Sequence, residues 1–319
     1  MLQTFTITLV QMLRLFALMA IGFLLNRCHI ISKECGSGLS KLTVVFFAPA
    51  LVFYTFIVQC TKANLSQNFS YVIYGFVILM LGTVATSYPL CNFFTKDPYQ
   101  KSIYRYAIAM PNTGGFATPL VLAFFGIEGN FLKTLFLFTA TIITYTWGTA
   151  QLIPSGRPGI RGMLKRFLEP NFVALVIGAI LGLAGGNNWI PKIILDNISF
   201  FGDCYVPFSL LVVGFCIGDF NLKEIAPNFK TLGFTVMRMV CFPLVFIFGL
   251  YLVHAPRMVI LLAALAFSSP CGMNTVVFPM AYGQDCREGS RLVVFTSLMA
   301  VVIMPLIYSV AIALVGEVI

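Results

Sequence analysis

The sequence predicts an all-α polytopic membrane protein with ten transmembrane helices in two inverted five-helix repeats. Three observations lead to this fold class: the composition, the number of apolar segments long enough to span a bilayer, and proline and glycine positions that recur at one offset. Of the 319 residues, 59% are hydrophobic and 10% are charged, and the mean hydropathy is +0.93. Soluble proteins carry about 25% charged residues, so these values exclude an ordinary soluble protein and a disordered chain.

The apolar segments match the length that a bilayer requires. About 20 helical residues cross its apolar layer, which is about 30 Å thick. The first segment is longer than the apolar part of a signal peptide, so it is expected to be retained as a span. A basic stretch, 154–169, separates a first repeat, 1–153, from a second, 170–319. The ten segments are 5–25, 39–59, 69–93, 103–125, 131–153, 172–183, 195–217, 231–253, 258–282 and 292–315.

The distribution of basic residues predicts the orientation of the chain. Short loops rich in Lys and Arg remain in the cytoplasm. The odd-numbered loops hold twelve such residues, and the even-numbered loops hold four, namely Lys62, Lys133, Lys192 and Arg257. The odd-numbered loops are therefore expected inside and both termini outside, in an integral protein of the cell (inner or plasma) membrane.

Proline and glycine positions indicate an internal duplication. Three pairs, Pro49 with Pro207, Pro111 with Pro270, and Gly126 with Gly283, lie 158, 159 and 157 residues apart. A common offset of about 158 residues is typical of a repeated unit. Because each unit holds five spans, an odd number, the second unit must enter the membrane from the opposite face, as in many secondary transporters.

Two segments rich in proline and glycine interrupt the fourth and ninth spans. The first is Met110-Pro111-Asn112-Thr113-Gly114-Gly115, and the second is Ser268-Ser269-Pro270-Cys271-Gly272-Met273-Asn274-Thr275. Proline removes a backbone donor, and glycine destabilises a helix by about 1 kcal/mol relative to Ala. Non-helical backbone at membrane depth is tolerated where it is buried in protein or lines a cavity. Both breaks are therefore predicted to form one substrate site, although proline kinks that serve packing alone remain the alternative.

The ends of the broken helices explain why such a site binds ions. Each break exposes unpaired N–H groups at the start of one half-helix and unpaired carbonyls at the end of the other. The N–H groups can hold a carboxylate. The carbonyls, together with the side chains of Asn112 and Asn274, can hold a cation or a water.

The two motifs resemble the signature segments of the auxin efflux carrier family, which includes plant auxin exporters and bacterial malate and malonate permeases. The similar residues are Asn112-Thr113-Gly114 with Pro119-Leu120, and Asn274-Thr275-Val276-Val277 with Tyr282-Gly283-Gln284-Asp285. The resemblance covers nearly the whole chain. It implies crossed, broken fourth and ninth helices, a scaffold of spans one, two, six and seven that is often dimeric, and a moving transport domain made of the other six. The sequence lacks the long hydrophilic central loop of the long plant exporters.

Three ionisable residues within spans are further site candidates, because charges in a membrane are costly. Arg14 and Arg238 are interpreted as counter-ions for a carboxylate substrate, with a structural role against backbone carbonyls or snorkelling as the alternatives. Asp203 is predicted to lie inside the seventh span, where a partly desolvated carboxylate can carry a proton. The alternative for Asp203 is a helix-start residue that accepts backbone N–H bonds.

The sequence therefore predicts a secondary active transporter that moves a small organic anion, a carboxylate or an auxin-like acid, by alternating access. A membrane receptor that binds such an anion without moving it is the alternative. The expected partners are the anion, a proton or sodium ion for coupling, the lipid bilayer and a second copy in a homodimer; nucleic acid is not expected. No phosphate-binding loop or hydrolase motif occurs in the sequence, and no cofactor, metal site or enzymatic activity is expected.

Overall fold

A computed structural model describes residues 2–152, 168–218, 228–281 and 284–316. Within these ranges the regular secondary structure is helical, and the only β-type pairing is an isolated bridge between Pro111 and Cys271. Most of the basic stretch 154–169 lies outside the described residues, and so does Gly283.

The first half of the chain forms six helices, several of which contain π-helical turns. The kink in the fifth lies at Gly126, whose φ of 60° is in the region that glycine tolerates best. The helices are α1 (Leu2–Arg27), α2 (Glu34–Gln59), α3 (Lys62–Phe94), α4 (Pro98–Ala109), α5 (Thr113–Phe136) and α6 (138–152).

The second half forms six more helices and one short turn of helix, Gly186–Trp189. These helices are α7 (Pro170–Leu183), α8 (Lys192–Gly218), α9 (Phe229–Leu252), α10 (Arg257–Ser268), α11 (Asn274–Ala281) and α12 (Arg287–Val315). By length and composition, six of the helices in the described ranges, α2, α3, α5, α8, α9 and α12, could cross a membrane, and the kink at Gly126 divides α5 into two shorter arms. The protein is thus an integral membrane protein.

Polar caps begin several of these helices. The side chains of Thr61, Asp97 and Asn228 each accept a hydrogen bond from the backbone N–H three residues later, over distances of 3.1, 2.7 and 2.9 Å. A side-chain acceptor at this position replaces the backbone partner that the first turn of a helix lacks. The sequence therefore fixes where α3, α4 and α9 start.

Four helices, α1, α2, α7 and α8, pack so closely that glycines of one helix contact the backbone of the next. A Cβ atom at Gly22 would collide with the backbone of Leu211, and one at Gly214 with the backbone of Met19, so α1 and α8 lie in direct contact. Gly182 of α7 meets the backbone of α2 in the same way. Small residues let helices in a membrane approach closely and gain van der Waals contact. We refer to α1, α2, α7 and α8 as the panel.

The remaining helices form a second body around α10, which is its core. Every residue of α10 from Val259 to Ser268 is buried, among α5, α9 and α12. Aromatic pairs fill the spaces between these helices, for example Phe136 against Phe267, with ring centroids 6.2 Å apart, and Phe246 against Phe267, at 4.9 Å. A helix that is apolar all round, as α10 is, fits this central position.

One assignment from the sequence is wrong. Lys133 was counted among the residues of an even-numbered loop, but it lies within α5 and its side chain is only 9% exposed. The kink at Gly126 lets α5 turn back at once, so the chain re-enters the bundle before Lys133. Among the even-numbered loops, three basic residues therefore remain instead of four.

Candidate functional site

The two helix breaks meet inside the bundle. The helix α4 ends at Ala109 and α5 begins at Thr113, while α10 ends at Ser268 and α11 begins at Asn274. The Asn112 N–H donates to the Pro270 carbonyl over 2.8 Å, and the Gly272 N–H donates to the Met110 carbonyl over 2.9 Å. These two bonds form the bridge between Pro111 and Cys271. Both breaks expected from the sequence are confirmed as non-helical segments, and they lie side by side.

The first break keeps a free hydrogen-bond donor. The Asn112 Oδ1 accepts the Gly115 N–H at 3.2 Å, whereas the Asn112 Nδ2 is buried and has no partner. Gly114 is exposed and Thr113 is half-buried, so this break has an open side. A buried donor without a partner is uncommon in proteins and costs about 1–3 kcal/mol, which favours a bound acceptor.

The polar side chains of the second break are already bonded. Ser268 and Ser269 are buried, and their hydroxyls donate to carbonyls one turn earlier in α10, at 2.6 and 2.8 Å. Thr275 Oγ1 donates to the Gly272 carbonyl at 2.6 Å, and the Asn274 Nδ2 donates to the Tyr106 hydroxyl at 3.2 Å. The two breaks are therefore unequal, and the first is the better place for a ligand.

Arg238 lies at the carbonyl ends of both broken helices. Its side chain is fully buried, its Nη1 donates to the Phe267 carbonyl of α10 at 2.6 Å, and its Nε donates to the Ala107 carbonyl of α4 at 3.3 Å. Each helix end carries about half a negative charge, so one guanidinium offsets both. Arg238 is thus a partner to backbone carbonyls, and its Nη2 is buried without a hydrogen-bond partner.

A second buried cation lies near the first break. The Lys133 Nζ donates to Thr118 Oγ1 at 2.6 Å and to Asn130 Oδ1 at 2.8 Å. The Thr118 hydroxyl in turn donates to the carbonyl of Thr113 at 3.0 Å. The Asn130 Nδ2 donates to Thr55 Oγ1 of α2 at 3.1 Å, which links this network to the panel.

The other two ionisable candidates lie on the panel and are exposed. Arg14 lies in α1, immediately before Leu15 and Phe16, which line a small apolar recess beside the first break. Asp203 is the twelfth residue from the start of α8, so the prediction that this helix begins well before it is confirmed. Its side chain is exposed, however, so the neighbouring protein does not desolvate it. The other residues of the recess are Phe116, Pro119, Leu120 and Leu210.

Several residues of the site could not be chosen from the sequence. Tyr205 of α8 donates its hydroxyl to the Gly114 carbonyl at 2.8 Å, and Tyr106 of α4 holds Asn274. Neither tyrosine belongs to a motif. Their partners lie 91 and 168 residues away along the chain, so the sequence does not indicate these contacts. Lys133 did leave a signal, since the predicted fifth segment, 131–153, already contained it. Within the described residues no group of three or more His, Cys, Asp or Glu side chains could hold a metal ion.

Two interrupted helices that meet inside an apolar helical bundle, with unpaired donors at their junction, are characteristic of membrane transport proteins. The chain matches the family described as "Membrane transport protein" over residues 7–159 and 159–308. It belongs to this family, in agreement with its resemblance to the auxin efflux carriers. It is also similar to an uncharacterized transporter of Methanothermobacter thermautotrophicus, with 23% identity over 298 residues, which cover 92% of this chain and 95% of the relative. The protein is thus a membrane transporter.

Proposed function

We propose that this transporter is a secondary active carrier of a small organic anion and that the anion binds at the first break, beside Asn112. One observation carries the proposal. Among the described residues, the charged side chains classed as buried are Lys133 and Arg238, and both are cations. A buried charge needs a counter-charge, and the protein supplies no buried carboxylate in the described ranges.

The polarity of the first break supports an anionic cargo. The first turn of α5 begins at Thr113, next to the buried and unpaired Asn112 Nδ2, and Gly114 in this turn is exposed. Helix starts carry a partial positive charge and favour carboxylates. Lys133 lies beyond the kink of α5 and adds a full charge where its side chain reaches back to Thr118. At the opposite ends of the broken helices, Arg238 already covers the carbonyls, which leaves the donors as the attractive surface.

The two kinds of packing support movement of one body against the other. The helices of the panel contact one another's backbones at glycine positions, and this close packing resists sliding between them. Between the panel and the other body, the contacts are made by side chains, including Phe16 with Phe116 at 6.3 Å and Phe56 with Phe131 at 5.4 Å between ring centroids. In the proposed cycle, the body that holds both breaks moves against the panel and opens the site to alternate sides of the membrane.

The repeated architecture belongs to the same proposal. Ten spans in two inverted repeats would place one break in each half, and the antiparallel pairing of Pro111 with Cys271 is what two such segments of opposite direction would form. Both termini would then lie outside the cytoplasm. The panel would serve as the scaffold and, in a homodimer, as the contact surface.

The experiment has two stages. In the first, purified protein is heated with L-malate, malonate or indole-3-acetate, and an anion that binds the folded state raises the melting temperature by mass action. Asn112→Ala should abolish the shift, whereas Asn92→Ala, a change of an exposed asparagine, should not. A shift that survives Asn112→Ala would place the site elsewhere.

The second stage tests movement of the anion. Proteoliposomes preloaded with the unlabelled anion should accumulate the labelled anion by counterflow, because a carrier exchanges its substrate across a sealed membrane. A receptor would bind without exchange. The prediction that Asp203 carries a coupling proton is tested in the same vesicles: Asp203→Asn should remove the response to a proton gradient, and an unchanged response would exclude that role.

A further inference from the structure

We propose that Lys133 is the charge-compensating residue of the anion site, and that a bound anion and a proton on Lys133 stabilise each other. This inference rests on the proposed function. It starts from the surroundings of the amine: Lys133 is buried, and its two hydrogen-bond partners, Thr118 Oγ1 and Asn130 Oδ1, are both neutral oxygens. Its charge therefore lacks a counter-ion in the protein.

The ionisable side chains on neighbouring elements do not supply one. Arg14 of α1 and Asp203 of α8, two further helices that contact α5, are exposed. Glu128 lies on the same helix, Tyr71 lies on α3 close enough to Glu128 to feel its charge, and Arg257 begins α10. Tyr54 lies on α2, beside the threonine of the network. None of them bonds to Lys133, and the ion pairs of Asp285 with Arg287 and of Glu288 with Arg291 involve other residues.

The network accommodates the amine with or without its extra proton. As an ammonium, Lys133 donates to Thr118, whose hydroxyl then points to the Thr113 carbonyl. As a neutral amine, it offers a lone pair to which the same hydroxyl can donate after turning away from that carbonyl. Asn130 remains an acceptor in both cases. The protonation state of Lys133 is thus connected by one hydroxyl to the backbone of the first break.

The distance makes this coupling measurable. Two hydrogen bonds, of 2.6 and 3.0 Å, separate the Lys133 Nζ from the Thr113 carbonyl, so an anion held by the first turn of α5 lies within roughly 10 Å of the ammonium. At an effective dielectric constant of about 20, a unit positive charge at that distance changes the affinity for a monoanion roughly tenfold. For a dianion the interaction doubles, so the change is roughly a hundredfold.

The proton balance follows from reciprocity. An anion that binds more tightly to the ammonium form raises the fraction of molecules with a proton on Nζ: each neutral amine that is protonated takes a proton from water and forms an N–H bond, and that proton leaves again when the anion is released. If binding and release occur on opposite sides of the membrane, anion and proton cross together. No other co-reactant is needed.

The test measures the affinity for indole-3-acetate, a monoanion, and for L-malate, a dianion, by titration calorimetry from about pH 6.5 to about pH 10, where both ligands stay ionised. In the wild type, the affinity should fall with rising pH by roughly tenfold and a hundredfold respectively. For Lys133→Met, the affinity should be low and independent of pH. For Lys133→Arg, the affinity should be high and independent of pH, because a guanidinium keeps its charge.

A control variant and a second readout separate this role from others. Lys192→Met, at the exposed start of α8, should keep the wild-type profile. Calorimetry in buffers of different ionisation enthalpy should show proton uptake in the wild type and none in Lys133→Arg, a readout that holds even where Lys133→Met fails to fold. If both anions bind but the Lys133→Arg protein retains the wild-type pH profile, this inference is wrong and the proposed function stands. If neither anion binds the wild type, both are wrong.

Discussion

Replacing Arg238 by methionine tests how the two broken helices are held together. The wild-type guanidinium donates to the carbonyls of Phe267 and Ala107, at 2.6 and 3.3 Å, from a fully buried position. Methionine replaces the apolar stem but is shorter and has no donor, so the variant leaves two buried carbonyl ends without their charged partner. The substitution is therefore expected to weaken the junction.

The magnitude follows from those two bonds. A hydrogen bond to a charged group contributes about 1.5–3 kcal/mol, and the longer bond to Ala107 belongs at the lower end. Removal of a buried charge returns part of its desolvation cost. The net loss of stability for Arg238→Met is thus expected to be about 2–4 kcal/mol. Arg238→Lys has one compact ammonium, which cannot donate to both carbonyls in the geometry of the guanidinium. This variant should lose about half as much stability as Arg238→Met.

The assay is equilibrium unfolding in mixed micelles, with sodium dodecyl sulfate as the denaturant. Arg257→Met, at the exposed start of α10, is the matched control and should change stability by less than about 0.5 kcal/mol. If Arg238→Met were as stable as this control, the two hydrogen bonds would contribute nothing, and the idea that Arg238 fastens both broken helices would be refuted.

Three further substitutions test the interface around the first break and the packing of the panel. Tyr205→Phe removes the bond to the Gly114 carbonyl, at 2.8 Å, and should raise the counterflow rate a few-fold by loosening the contact between the two bodies; an unchanged rate would speak against it. Gly114→Ala adds a Cβ whose nearest neighbour is the Tyr205 hydroxyl at 3.4 Å, so the melting temperature should stay within a few degrees of the wild type. Gly214→Val places a side chain against the Met19 backbone and should lower stability by at least about 2 kcal/mol in the same micelle titration, whereas a neutral effect would show that the panel can separate.

The two helix breaks are features that the sequence alone could predict. Proline and glycine at 110–115 and 268–272 predicted both interruptions, because these residues cannot maintain helical hydrogen bonds whatever surrounds them. The kink at Gly126 follows from the same local chemistry. Composition and segment length predicted a membrane-embedded helical bundle for the corresponding reason, since backbone groups in lipid must be paired within a helix.

Contacts between residues far apart along the chain could not be predicted from the sequence. Arg238 was identified as important, yet its partners, the carbonyls of Ala107 and Phe267, lie 131 and 29 residues away and carry no sequence signature. Lys133 was counted with an even-numbered loop, although the predicted fifth segment, 131–153, contains it. Its burial depends on the reversal at Gly126, which brings α5 back against Thr118 of its own first half.

The sequence by itself determined which segments enter the membrane, where two of them break, and that the chain belongs among transporters. These features depend on the local chemistry of each residue and on the bilayer as a solvent. Only the tertiary structure decided that the two breaks touch, that the polar side chains of the second are bonded while the first keeps a free donor, and that the charged side chains buried in the described part of the chain are both basic. Such features depend on which groups meet across the bundle, and the energy of a buried donor or charge is set by those neighbours.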